Sequence, residues 1–209
     1  MKAKIKISRT VLLAINTFRS TDDARPAIAG ICIEVTKSGK CRAIATDGKR
    51  LGAIENGEAL EAPEKLESVT FILNEPLLKA LPKSKGIGDD VIINVDGARI
   101  EFSAYGTNDK TKFEVEASEH KSPNWRQAVP TGDQPLPVDP CFNWRLLDGF
   151  TKAAGILQRD RSAGIQIRQK NDGAMLVLIP TVPSFVGVLM PMKFSEVSKA
   201  PDWISTEEN

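Results

Sequence analysis

Apolar and polar residues alternate in short runs along most of the chain, and three times the alternation gives way to a helical period. Val11, Leu12, Ile15 and Phe18 gather on one side of a first helix, with Arg9 and Asn16 opposite and Arg19 at the flank. Leu77, Leu78 and Leu81 do the same after Pro76, with Lys79 and Lys83 pointing away. Leu146, Leu147 and Phe150 form the third stripe, opposite Arg145, Asp148 and Lys152. Each helix opens on a residue whose side chain can accept a bond from a free first-turn N–H: Ser8, Asn74 and Asn143. These caps stand 66 and 69 residues apart.

The flanks repeat with the helices. A strand-like run leads into each one: 3–7, 69–73 and the proline-broken 136–142. Three runs follow each: 27–35, 41–45 and 51–55; then 91–95, 99–103 and 112–117; then 164–168, 174–179 and 185–190. The pairs Ser38-Gly39, Asp47-Gly48, Asp96-Gly97 and Asp172-Gly173 mark turns between them. The predicted fold class is α+β, built from three β-α-β-β-β repeats, with helices on one face of antiparallel sheets.

Charge changes this picture little in bulk. Lys plus Arg is 28 and Asp plus Glu is 27, a net +1, so bulk charge does not attract a polyanion. Three equivalent helices that each turn cations outward do suggest a polyanion-facing surface, made by Arg9, Arg19, Lys79, Lys83, Arg145 and Lys152. Cys32, Cys41 and Cys141 have no CxxC spacing and are odd in number, which argues against a disulfide framework and a zinc site. His120 is the only histidine, so catalytic triads and His-rich metal centres are not expected. Glycine-rich phosphate loops are missing, and the pairs Asp22-Asp23 and Asp89-Asp90 read as solvated loop or helix-end carboxylates. No catalytic residue, metal or cofactor is expected. With no apolar run long enough for a membrane helix and no signal-peptide core, the expected location is cytoplasmic.

Four segments carry a resemblance to a known family. Ala45-Thr46-Asp47-Gly48-Lys49-Arg50-Leu51-Gly52 is similar to a hairpin of the bacterial β sliding clamp, the processivity ring of the replicative DNA polymerase. Ser122-Pro123-Asn124-Trp125-Arg126-Gln127-Ala128-Val129-Pro130 resembles the connector that leaves that family's middle domain. Phe142-Asn143 with Leu146-Leu147-Asp148 resembles a helix of its last domain, and Val188-Leu189-Met190-Pro191-Met192-Lys193-Phe194 its terminal strand. Lys49, Gln127 and Ala128 depart from the family's usual residues.

The resemblance implies a complete clamp-like domain over 1–130, of repeats 1–68 and 69–130. It implies a half domain over 131–194 and leaves a polar tail at 195–209. It also implies a peptide pocket walled by Leu51, Pro123, Val188, Met190 and Met192 and edged by Thr46, Gly48 and Arg50. Lys49, Gln127, Ala128 and Pro191, from the same segments, are expected in that pocket too. Trp125 takes the connector's aromatic position, a structural place rather than a base-stacking one. The implied partners are non-specific duplex DNA and the clamp-binding peptides of polymerases, clamp loaders and repair factors. A family ring holds twelve half-units and this chain three, so a cyclic homotetramer would restore the count. If Lys2, Lys4 and Lys6 guard a free sheet edge, a smaller assembly follows. The alternative function is a clamp-like module that captures such peptides without forming a ring.

Overall fold

The computed structural model describes residues 2–22, 24–60, 67–73, 75–81, 89–104, 112–120, 124–130, 141–158, 164–169 and 173–192. Asn74, Lys83, Pro123 and the tail 195–209 lie outside them, as does most of the run 136–142. The first repeat comprises β1 (Lys2–Ser8), α1 (Arg9–Asn16), β2 (Ile31–Val35), β3 (Lys40–Thr46) and β4 (Arg50–Ala59). The second comprises β5 (Glu67–Phe71), α2 (Glu75–Ala80), β6 (Asp90–Asp96), β7 (Arg99–Ala104) and β8 (Phe113–Glu116). The third supplies α3 (Trp144–Leu157), β9 (Gln166–Gln169), β10 (Met175–Leu178) and β11 (Phe185–Leu189).

The strands join in one antiparallel sheet ordered β5-β2-β3-β4-β1-β6-β7-β8, with β11, β10 and β9 branching from β4. The leading strands change places: β1 lies beside β6, and β5 beside β2. Each repeat then closes on its own leading segment with a similar bond. The N–H of Leu60 reaches Lys4 O at 2.8 Å, that of Ser118 reaches Thr70 O at 2.7 Å, and that of Met192 reaches Cys141 O at 2.8 Å. In the first two repeats the residues facing each other at this closure are Ile5 with Ala59 and Phe71 with Ala117.

Alternation along the strands builds two apolar layers. On the helix side, Ile31, Ile33 and Ile54 join Leu12, Ile15, Phe18, Phe71, Phe102, Phe150 and Phe185 in the main core. Phe102 stacks on Phe113 at 4.8 Å and meets Phe71 edge-on at 5.3 Å. On the opposite side, Cys32, Ile44, Leu51, Ala53 and Val188 form a smaller cluster covered by Trp125 and Val129. The helices therefore take one face of the sheet, and the segment 124–130 roofs part of the other. Cys32 and Cys41 are free and buried, and burial pushes the Cys41 thiol up to about 12.

Three local expectations are corrected. Ser8 makes no side-chain cap; Asp89 does the capping instead, its Oδ2 accepting from Thr10 N at 2.7 Å and also from the Thr10 hydroxyl. A carboxylate outbids a serine hydroxyl there because a charged acceptor meets the positive end of the helix. The run 27–35 splits into a 3-10 turn at Pro26–Ile28 and the shorter β2, since Pro26 fixes the chain in a turn. The lysine row guards no edge. β1 is flanked by β4 and β6, Lys2 pairs with Asp96, and Lys6 pairs with Glu58 and Asp90.

Candidate functional site

The hairpin between β3 and β4 is tied by its own side chains. Asp47 Oδ1 accepts from the N–H groups of Lys49 and Arg50, both at 2.9 Å. Thr46 Oγ1 accepts from Gly48 N at 3.0 Å and donates to Arg50 O at 2.8 Å. Gly48 sits at φ +85°, where a side chain is strained, and a Cβ there would come within 2.5 Å of Arg25 Nη2. Arg25 in turn donates to Asp47 O at 2.9 Å.

Arg50 fastens this hairpin to two helices. Its Nε bonds Asp47 Oδ2 at 3.0 Å, Nη2 reaches Thr17 O at 3.1 Å and Nη1 reaches Leu146 O at 3.2 Å. The guanidinium lies where a Cβ on Gly149 would stand, 1.9 Å away, which explains the small residue at that place in the third helix. β4 and β11 pair beneath, with Gly52 opposite Gly187. A Cβ on Gly52 would meet Phe18 at 2.5 Å, and one on Gly187 would meet Phe150 at 2.4 Å. The two rings pack with centroids 4.9 Å apart. First and third repeats thus meet through a fitted seam of two glycines and two phenylalanines.

The third wall is the 3-10 turn Trp125–Ala128. Buried Glu34 on β2 holds it: Oε1 accepts from Trp125 Nε1 at 2.9 Å and from Arg126 Nη1 at 3.0 Å, and Oε2 accepts from Arg126 Nη2 at 2.7 Å. Arg126 also stacks 4.5 Å above the Trp125 ring, and its bonds to Glu34 push its pKa up further. Trp125 is committed to structure, with its ring against the outer cluster.

Between hairpin, seam and turn lies an open groove of about 280 Å³. Of the residues assigned to the implied pocket, Thr46, Gly48, Lys49, Arg50, Leu51, Ala128, Val188 and Met190 line it. Gln127, Pro191 and Met192 do not; Gln127 and Met192 are exposed beside it, and Met192 is used in the repeat closure. Arg25, Ile28, Asn124 and Trp125 also line it. Trp125 could have been found from its motif, whereas Arg25 and Ile28 come from a loop whose path no periodicity reveals.

No protein-family model matches the chain, and no curated protein matches it by sequence. Solved structures do match. The β subunit of DNA polymerase III from Thermotoga maritima superposes with a TM-score of 0.65 at 12% identity, over 92% of this chain and 66% of that one. The Borrelia burgdorferi β subunit gives 0.64 at 12% identity, over 92% and 64%. The Pseudomonas aeruginosa sliding clamp gives 0.62 at 16% identity, over 92% and 66%. The fold is that of a bacterial sliding clamp. The chain spans just under two thirds of the length of these clamps.

Within the clamp fold, α1 and α3 lie against each other, and the predicted cations divide into two groups. Lys79, Arg145 and Lys152 are exposed. Arg145 lies 5.6 Å from the Trp144 ring, and Lys152 pairs with Asp148 at 2.6 Å one turn back. Arg9 and Arg19 are half-buried and turned inward. Arg9 donates to Leu81 O at 3.3 Å, and Arg19 donates to Ser20 O at 3.1 Å and Ala29 O at 3.4 Å. No group of His, Cys, Asp and Glu that could hold a metal occurs among the described residues. No described helix is long and apolar enough to cross a membrane.

Proposed function

We propose that this chain is a non-catalytic, sliding-clamp-type protein of DNA replication or repair. Its working site is the groove beside the β4–β11 seam, which holds a short linear peptide carried by a polymerase, clamp-loader component or repair factor. The observation that carries this reading is one groove that unites three distant segments: 46–51, 124–128 and 188–190. Its floor is apolar, from buried Leu51 and Val188, and exposed Ala128, Lys49 and Arg25 line its open side. A leucine or phenylalanine anchor buried there gains roughly 1.5–3 kcal/mol. Met190, 44% exposed, supplies a flexible thioether that adapts to different anchors. With Gln127 outside the groove and Ala128 offering one methyl, the affinity expected is on the order of micromolar.

The test is fluorescence anisotropy with a labelled peptide bearing a Leu-Phe type anchor pair. Met190→Asp should weaken binding at least about tenfold, because it sets a charge against the anchor. Met190 is exposed enough for the variant to fold, and unchanged affinity would sink the assignment.

In the fuller form of this reading the chain assembles into a ring around duplex DNA, with the outward cations of α2 and α3 facing phosphates non-specifically. A second reading keeps the groove and drops the ring. It is favoured by the inward engagement of Arg9 and Arg19, which leaves fewer cations for DNA. Light scattering separates the two, since a monomer cannot encircle a duplex.

A further inference from the structure

The groove has a neighbour. Across a divide made by Arg25, Lys49 and Arg50 lies a second open hollow of about 390 Å³, and those three residues line both. The two differ in character. The groove has Leu51 and Val188 at its floor, whereas every residue lining the hollow is polar or charged. Asn16 and Arg19 at the end of α1, Asp22 in the loop that follows and Asp47 in the hairpin form its other walls.

Cations prevail in the hollow. Arg50 and Asp47 are spent on each other at 3.0 Å. Arg19, Arg25 and Lys49 then stand against Asp22 alone among the described lining residues. Asp22 is exposed, and its Oδ1 already accepts from Ala24 N at 3.0 Å. Lys49 is exposed too, and among the described residues it bonds through its backbone: its N–H to Asp47 Oδ1 and its O to Met190 N, both at 2.9 Å. Its ammonium group is left for a ligand, on a residue tied to the groove by Met190. Arg25 commits Nη1 to Asp47 O and keeps the rest of its fork. In the wall, Arg19 Nε and Asn16 Oδ1 are closed to solvent with no bonding partner among the described residues. An apolar side chain laid over them would isolate them further, so the hollow suits a charged occupant rather than a second Leu or Phe.

We propose that the hollow takes the carboxylate of an acidic residue that flanks the hydrophobic anchor of the bound peptide. Lys49 and Arg25 are its ion-pair partners, and Arg19 adds to the positive field from the wall. This assignment rests on the peptide reading of the groove and sharpens it. The groove fixes the anchor, and the hollow selects among anchored peptides by charge. The occupant belongs to the peptide because the divide is shared. A chain anchored against Leu51 and Val188 that continues over Lys49 and Arg25 brings its next residues into the hollow.

Competition anisotropy on the full chain, with a series of peptides built on one Leu-Phe type anchor pair, tests it. Glu is placed at successive positions on either side of the anchor, and each Glu peptide is matched by its Gln counterpart. At one of these positions Glu should bind at least about threefold tighter than Gln, the strength of an exposed ion pair. The gain should shrink as salt rises. When Lys49→Gln and Arg25→Gln are combined, the ratio of Glu to Gln affinity should fall to about one. Both residues are exposed, and a melting curve matched to the parent's verifies the fold. Equal affinity of Glu and Gln peptides at every position, with anchored binding intact, would overturn the proposal and leave the groove standing. So would a Glu preference that survives the loss of both cations, because the carboxylate would then be held elsewhere. If no peptide in the series binds, the groove reading falls and the hollow's role falls with it.

Discussion

A carboxylate held among apolar neighbours must find donors, and Glu34 finds three: the Trp125 indole and both ends of the Arg126 fork. That single side chain pins the wall of the groove to β2. Arg126→Ala leaves the carboxylate with the indole alone. Arg126 is partly solvent-screened, so the expected loss of stability is about 1–2 kcal/mol rather than the larger cost of opening a fully buried pair. Urea denaturation reads this loss, and peptide affinity should fall several-fold with it as the wall loosens. Elsewhere, hydrogen bonding from Lys40, joined by Arg42, holds the Glu55 carboxyl below its ordinary range. A carboxyl depressed in the folded state adds stability above its ordinary pKa and loses it as pH falls through the folded value. Glu55→Gln should therefore lower the melting temperature near neutrality and leave it close to the parent's in strong acid. An equal drop at both pH values would count against the pairing. None of these bonds could be read from sequence. Glu34 reads as an ordinary strand carboxylate, and its partners lie more than ninety residues away.

At the scale of elements, the seam between β4 and β11 should be the most sensitive place in the fold. Gly52→Ala or Gly187→Ala pushes a methyl into Phe18 or Phe150, and overpacking of this kind costs about 1–3 kcal/mol. A chemical denaturation series on the two variants checks it, and neutral effects would mean that the rings have room to retreat. The elements themselves were largely legible. Three amphipathic helices and the strands following them appear close to where the periodicity put them, the start of the run 27–35 excepted, because each buries a face and a buried face leaves a period. What periodicity does not report is the neighbour. The exchange of leading strands, the cap that Asp89 supplies to α1 and the inward turn of Arg19 are pairings between distant segments. The motifs brought together a groove that eight of the twelve proposed residues line; Asn124 and Trp125 stood in one of those motifs, while Arg25 and Ile28 needed the folded chain.

For the whole molecule, the question is how strongly the helix faces hold DNA. Binding of a short linear duplex should be weak and should fall as salt rises, with no preference among sequences. Replacing Lys79 and Arg145 together by alanine should flatten the salt dependence by up to about two counterions, as each phosphate contact contributes about 0.9 to the slope. Replacing Arg9 and Arg19 should chiefly lower stability, since their guanidinium groups bond backbone carbonyls. An unaltered slope in the first variant would remove these helices from the DNA reading. The placing of β1 between β4 and β6 bears on how the molecule comes to exist at all. Lys2 finds its strand partner at Asp96, so during synthesis β1 leaves the ribosome well before the strand that will cover its other side. A nascent strand waiting that long is exposed to its counterparts on neighbouring ribosomes. Lys2, Lys4 and Lys6 charge one face of it throughout that interval, so two waiting strands repel each other until β6 arrives.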